Sequence, residues 1–289
     1  MKLHREGAEI WVPNGVPEGL ALARTTHLAV GAHQDDLEIM AVDGILRCFG
    51  RGDRWFCGVV VTDGAGSPRD GLYRDTTDEQ MRAVRREEQK KAAVVGEYGA
   101  LVLLDYPSAA VKGGDEAPVD DLVSVLRAAG PGAVYTHNPA DRHDTHVAVA
   151  LRTIEALRRL PPAGRPGRVY GVEVWRDLDW LVDDDRVVLD VSAHENLQAA
   201  LLGVFDSQIA GGKRYDLATL GRRRANATYL ASHDVDAGSG VTLALDLTPL
   251  IEDPALDVAA YVLAAVDRLA RDVADRLQRL ARPAVDAER

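Results

Sequence analysis

Cysteine is scarce in this chain: two among 289 residues, Cys48 and Cys57. They lie nine apart, one in a helix-like and one in a strand-like stretch, so neither a metal knuckle nor a disulfide framework is indicated. A reducing cytoplasm suits such usage best. Positive charge is also short: Lys and Arg number 34 against 45 Asp and Glu, a formal net charge of −11. That balance argues against a nucleic-acid backbone or an anionic membrane surface as the principal partner, since either favours a basic patch. No apolar run reaches the ~20 residues that span a bilayer, and charges and two prolines interrupt the first 27 residues, which gives no sign of a signal-peptide core. Internal repeats and low-complexity tracts are missing too. The hydrophobic fraction of 46% is that of an ordinary globular protein, long enough to bury a sizeable core.

Within that composition, apolar runs alternate with longer amphipathic segments. Strand-like runs read "THLAVGA", "WFCGVVVTD", "ALVLLDY" and "GAVYTHN", with helical patterns near 36–49, 77–96, 119–129 and 144–160. The alternation predicts a Rossmann-like α/β fold, a mostly parallel sheet flanked by helices. After the Pro/Gly-rich "RRLPPAGRPG" come two more β-like runs, "RVYGVEVW" and "RVVLDVS", and a helix from "HENLQAALLGVF". No composition shift marks a second domain, so 1–289 reads as one. From 254 to 282, behind Pro254, apolar residues from Leu256 to Leu280 recur at alternating spacings of three and four, the pattern of a long amphipathic helix. Its stripe either packs on its own domain or makes a contact in a homo-oligomer; both readings stand.

The chemistry concentrates where strands end. "AHQDDLE" at 32–38 follows the first run and "HNPADRHDTH" at 137–146 the fourth. His33 and Asp36 are three apart, and so are His143 and His146, so each pair projects from one side of a helix start. In open α/β sheets the carboxyl ends of strands converge on the ligand crevice. Two imidazoles and a carboxylate meet the needs of a catalytic zinc site, which uses three protein ligands and leaves one position open. Asp35, beside a ligand but aimed elsewhere, is then a candidate general base. Each motif alone has a plainer reading: Asp35 or Asp36 as a helix N-cap, and two surface histidines near a helix start. Their conjunction at two strand ends of one sheet favours the site.

The order "AHQDDLE", "VVVTDGAGS" at 59–67, Arg85 and Glu88 in "VRREEQKKAA", and "NPADRHDTH" at 138–146 resembles the zinc-dependent de-N-acetylases of the PIG-L/LmbE-like family. "VVLDVS" and "FDSQ" resemble the family's later strand and Ser-Gln signature, so the likeness runs over roughly 25–230. It implies removal of acetyl from an N-acetylglucosamine-type sugar conjugate, a linear amide, with one Zn²⁺ per chain. It further implies His33, Asp36 and His146 as zinc ligands and Asp35 as general base. His143 then polarises the oxyanion or protonates the departing amine, and Glu38 supports the ligands by a hydrogen bond. Asp63 and Arg85 are looser candidates for substrate contacts, with a loop cap and a solvated helix face as their plainer readings. The partner implied is a small amino-sugar conjugate. Three departures stand out: Gln34 replaces a usual proline, only Gly44 remains of a double glycine, and Asp144-Thr145 replaces a usual Pro-Asp. The segment 64–78, polar and Gly-rich, reads as a lid. A metal-dependent phosphoesterase and a non-catalytic nucleotide-binding protein are the alternatives. The first needs more carboxylates to bridge two ions; the second lacks its glycine fingerprint after the first strand.

Overall fold

A computed structural model of the chain describes residues 1–281. Its eight strands form one sheet: β1 (Glu9–Trp11), β2 (His27–Gly31), β3 (Phe56–Thr62), β4 (Ala100–Tyr106), β5 (Ala133–His137), β6 (Arg168–Val172), β7 (Arg186–Asp190) and β8 (Val241–Asp246). Their order is β1-β4-β3-β2-β5-β6-β8-β7. The five central strands, β4 to β6 in that order, are parallel, as the alternation of apolar runs and helices predicts. β1 joins one edge antiparallel, and β8 is antiparallel to both β6 and β7 at the other. Every residue of β3, "FCGVVVT", is buried, because a parallel strand with helices on both faces has no solvent side.

Two apolar clusters lie on the two faces of the sheet. One packs helices Ala117–Ala129 and Asp144–Arg158 against it, and the other packs the segment 36–48 with Glu195–Gly203. Helix Asp78–Val95 starts on a capping box, in which the Thr77 hydroxyl accepts from the Gln80 N–H and the Gln80 side chain accepts from the Thr77 N–H. The pattern at 36–49 is in fact two short helices, Asp36–Met40 and Val42–Cys48, broken at Ala41. Gly44 is required there, since a Cβ would come within 2.7 Å of the Tyr135 ring.

β1, β8 and helix Tyr215–Thr228 lie outside the elements read from the sequence. The C-terminal helix runs Val258–Ala281, four residues later than its pattern: Pro254 opens a turn, and the Asp257 carboxylate accepts the Ala260 N–H at the start. Position 282 lies outside the described residues. No described helix is long and apolar enough to cross a membrane.

The chain builds β2, β3 and β4 in one direction across the sheet, then crosses back to β5 and β6. The strand order therefore reverses between β2 and β5, the point where open α/β sheets bind ligands. His33 and Asp36 follow β2; His143 and His146 follow β5.

Candidate metal centre and active site

At that reversal, three side chains converge. His33 Nδ1 lies 3.2 Å from Asp36 Oδ2 and 3.2 Å from His146 Nε2, and His146 Nε2 lies 3.4 Å from Asp36 Oδ1. A tetrahedral ion with ligand bonds of about 2.0–2.2 Å sets its ligand atoms roughly 3.3–3.5 Å apart, so this spacing fits one small divalent metal. The donor chemistry fits as well, two imidazoles and one carboxylate. His143 joins His33 and His146 in one cluster with donors within 4.8 Å, and His137 joins Asp36 and His146 in another.

Several contacts orient these groups. The Asp36 carboxylate accepts the His33 N–H at 2.6 Å, which folds the turn back on itself. Asp141 is the anchor on the other side. Its Oδ1 accepts the His143 N–H at 3.0 Å, and its Oδ2 accepts the Trp175 N–H at 3.1 Å and lies 3.4 Å from His146 Nδ1. Holding Nδ1–H on a carboxylate leaves Nε2 with its lone pair free toward the centre. Burial pushes the His146 imidazole down, but the Asp36 and Asp141 carboxylates outweigh it and raise its pKa. Burial likewise opposes ionisation of Asp36, yet His146 and His137 hold it well below the usual carboxylate range. His33 falls to about 4, chiefly through desolvation.

His137 was not among the residues singled out from the sequence. Wholly buried at the end of β5, its Nε2 accepts the Ala32 N–H at 2.9 Å, while its Nδ1 has no partner. Its ring stacks on His146 at 3.9 Å between centroids, so it backs the cluster while its Nε2 is already engaged. Asp141 was missed too. The displaced acid of "HDTH", Asp144, is exposed, and Thr145 lines the cavity; the carboxylate that reaches the histidines comes from three residues upstream of Asp144.

Asp35 sits at φ 103°, ψ −28°, a backbone region that aspartate tolerates better than most side chains. It makes no helix-capping bond. Arg85 Nη2 donates to Asp35 Oδ1 at 3.3 Å and also to the Gln34 carbonyl. Burial raises the Asp35 carboxyl to about 7, with Arg85 working against the rise. Arg85 is 3% exposed, so the solvated reading of "RREEQKK" does not hold for it. Glu88 accepts from both the N–H and the hydroxyl of Ser207, at 2.7 and 2.6 Å, which ties "RxxE" to "FDSQ". Glu38 is fully buried and accepts from Tyr98 OH at 2.6 Å and Gln89 Nε2 at 2.8 Å. Burial pushes it to about 8. Gln89 in turn accepts the Asp35 N–H at 3.3 Å. Gln34, in the place of proline, is buried and donates to the Thr62 carbonyl at 3.1 Å.

A cavity of about 450 Å³ opens over the cluster. Its lining includes His33, Asp35, Asp36, His143, His146 and Arg85, with Trp175 and Tyr215 on one wall and Gly66 to Pro68 on another. The polar segment after β3 thus does border the cavity. Lys213 stands over the Trp175 ring at 5.3 Å, and it lines the cavity together with Lys112. Arg223, in helix Tyr215–Thr228, is buried and donates to the Glu38 and Ile39 carbonyls. Asp63 accepts the Ala65 N–H at 3.1 Å as a loop cap and faces a neighbouring cavity instead. Burial lowers the His143 pKa, and the His146 charge adds to it. The His143 ring meets His33 edge-on at 5.1 Å.

Fold and site together define a class: an open α/β sheet with a His/Asp cluster suited to one metal at its point of reversal. Residues 28–157, the segment that carries both motifs, match the family model described as PIG-L: GlcNAc-PI de-N-acetylase. No curated protein matches the chain in sequence. Among solved structures, the 4-carboxy-2-hydroxymuconate hydratase of Pseudomonas putida KT2440 is similar at a TM-score of 0.61 and 19% identity, covering 77% of this chain and 96% of that one. The N,N'-diacetylchitobiose deacetylase of Pyrococcus horikoshii follows at 0.58 and 17%, covering 76% and 83%. The deacetylase of the A40926 pseudoaglycone stands at 0.55 and 16%, covering 77% and 97%. These likenesses concern the fold, which carries more than one reaction.

Proposed function

We propose that the chain is a metal-dependent amidohydrolase that removes the acetyl group from an N-acetylglucosamine-type sugar conjugate. The observation that carries this reading is the triangle of His33 Nδ1, Asp36 and His146 Nε2 with the Asp35 carboxyl beside it in one cavity. The family match over the same residues supports it. His33, Asp36 and His146 are the ligands of one divalent ion per chain, zinc by donor type. When bound, such an ion supplies a water of lowered pKa and polarises the amide carbonyl.

The rest is work for the chain's own groups. Asp35 is the general base: Arg85 and the Gln89 side chain hold its carboxyl and its N–H, so it waits in one orientation beside the ligands. His143 lines the same cavity with its ring against His33 and His146, and it hydrogen-bonds the carbonyl oxygen or gives a proton to the departing amine. Asp141 positions both His143 and His146. Arg85 is a positioning residue for Asp35, and Asp63 shapes the loop at 64–78. The faces of Trp175 and Tyr215 offer apolar surface to a sugar ring, and the partner is that small conjugate, not a nucleic acid or a membrane. Both cysteines are free and buried, in keeping with a reducing cytoplasm.

Metal analysis together with an acetate-release screen over N-acetylglucosamine conjugates, run beside Asp35→Asn, tests the reading. About one divalent ion per chain and acetate release that the Asn variant loses are expected. Purified protein that binds no divalent metal, or release that survives the substitution, overturns it.

A further inference from the structure

The C-terminal helix carries two apolar stripes. One packs on the domain: Val262 and Ala265 are buried. The other, at heptad spacing, is left in solvent: Leu263 is 59% exposed, Val266 40%, Val273 46%, Leu277 64% and Leu280 74%. The helix also has two unlike halves. Val258–Leu269 borders an apolar groove of about 710 Å³, whose far wall holds Val147, Leu151 and Trp180. Every residue from Ala270 to Ala281 is exposed, so about 18 Å of helix projects uncovered. Isolated helices of that length are marginal in water without a partner.

We propose that this stripe is the interface to a second copy of the chain, with the two C-terminal helices antiparallel. The register follows from the sequence. Setting Ala270 against the partner's Val273 also sets Val266 against Leu277 and Leu263 against Leu280, and the two-fold axis repeats each pair, so all six layers are apolar. The flanks are compatible: Asp267 faces the partner's Ala274 and Arg276 faces the partner's Leu269, with no like charges opposed. An antiparallel pair lays each bare tip beside the other copy's groove, and both uncovered surfaces disappear together in one closed, isologous contact. A parallel pair would leave both grooves unfilled by the tips. The polar face argues against a lipid surface as the occupant, because Asp267, Asp272 and Asp275 alternate there with Arg268, Arg271, Arg276 and Arg279, where membrane-surface helices are predominantly basic.

Sedimentation equilibrium of the full chain, with Leu277→Asp beside it, tests the contact. The expected result is a dimer for the natural chain and a monomer for the variant, whose far-ultraviolet dichroism falls by no more than the projecting Ala270–Ala281 turns contribute while its cooperative unfolding is kept. Single-cysteine variants fix the register, since Cys48 and Cys57 are buried and do not compete. Leu263→Cys and Leu280→Cys oxidised separately are expected to stay uncross-linked, whereas their mixture gives a covalent dimer. A monomeric natural chain, a dimeric Leu277→Asp, self-cross-linking of either single variant, or an uncross-linked mixture each overturns the proposal. A monomer that co-floats with anionic phosphatidylglycerol vesicles overturns it in favour of a lipid surface.

Discussion

Asp141→Ala is the perturbation that separates the two halves of the site's logic, since it removes no proposed ligand and no proposed base. The carboxylate accepts the His143 and Trp175 N–H groups and lies on His146 Nδ1. Hydrogen bonds to a charged acceptor contribute about 1.5–3 kcal/mol each, but these contacts share one carboxylate and are not additive, so a loss of about 3 kcal/mol is expected in place of the full sum. Freed from its carboxylate, His146 no longer has Nδ1 fixed as the protonated nitrogen. Losing such an outer partner typically weakens metal binding about 10–100-fold, or roughly 1.4–2.7 kcal/mol. Competition against a chromophoric zinc chelator reads the affinity, and thermal unfolding with and without zinc reads the stability. Asp144→Ala is the control, because that side chain is exposed and touches neither histidine ring. An Asp141→Ala protein that holds zinc as tightly as the natural chain refutes the orienting role. Equal losses in the two variants would refute it as well.

Asp35→Asn is expected to lower acetate release about 10²–10⁴-fold while leaving bound metal unchanged; parallel loss of metal would place Asp35 among the ligands. Glu38→Gln is expected to keep the bonds from Tyr98 and Gln89 and to flatten the stability profile with pH. The natural carboxyl is raised to about 8 by burial, so its contribution is full below the ordinary value near 4.5 and is lost as pH rises through 8. Chemical denaturation at pH 5 and pH 8 compares the two proteins, and an unchanged difference between pH values counts against this account. Burial lifts the Cys48 thiol to about 11 and Cys57 to about 12, so a thiol reagent is expected to label neither in the native state and both in urea. Fast native labelling of Cys57 would contradict the packing of β3.

The parallel centre of the sheet was legible because its strands are buried on both faces and read as short continuous apolar runs between periodic helices. β1 was not: three residues at an edge carry no period. β8, "VTLALD", has the composition of a strand, yet it follows a long polar stretch, and its antiparallel insertion between β6 and β7 is a tertiary choice that no local pattern encodes. In the site, His33, Asp35, Asp36, His143 and His146 were found as pairs at helical spacing next to strand ends, and the structure brings all five to one cavity. His137 and Asp141 escaped because each is a lone residue. Asp141 stands within "NPADRHDTH", but Asp144 is nearer to both histidines in the sequence, and only the fold of the loop turns Asp141 toward them. Arg85 looked solvated from its charged neighbours, and only packing against Asp35 distinguishes it.

The backbone at Asp35, at φ 103°, has a consequence for how the chain can change. Positive φ costs an L-residue with a Cβ roughly 1–2 kcal/mol, and glycine almost nothing. Replacement by glycine would relax the turn, but it would also leave the buried Arg85 guanidinium without its carboxylate, a loss of about 3–5 kcal/mol that exceeds the strain relieved. The ion pair therefore holds the strained turn in place, and glycine becomes a stabilising replacement at 35 only once Arg85 has also been exchanged for an uncharged residue.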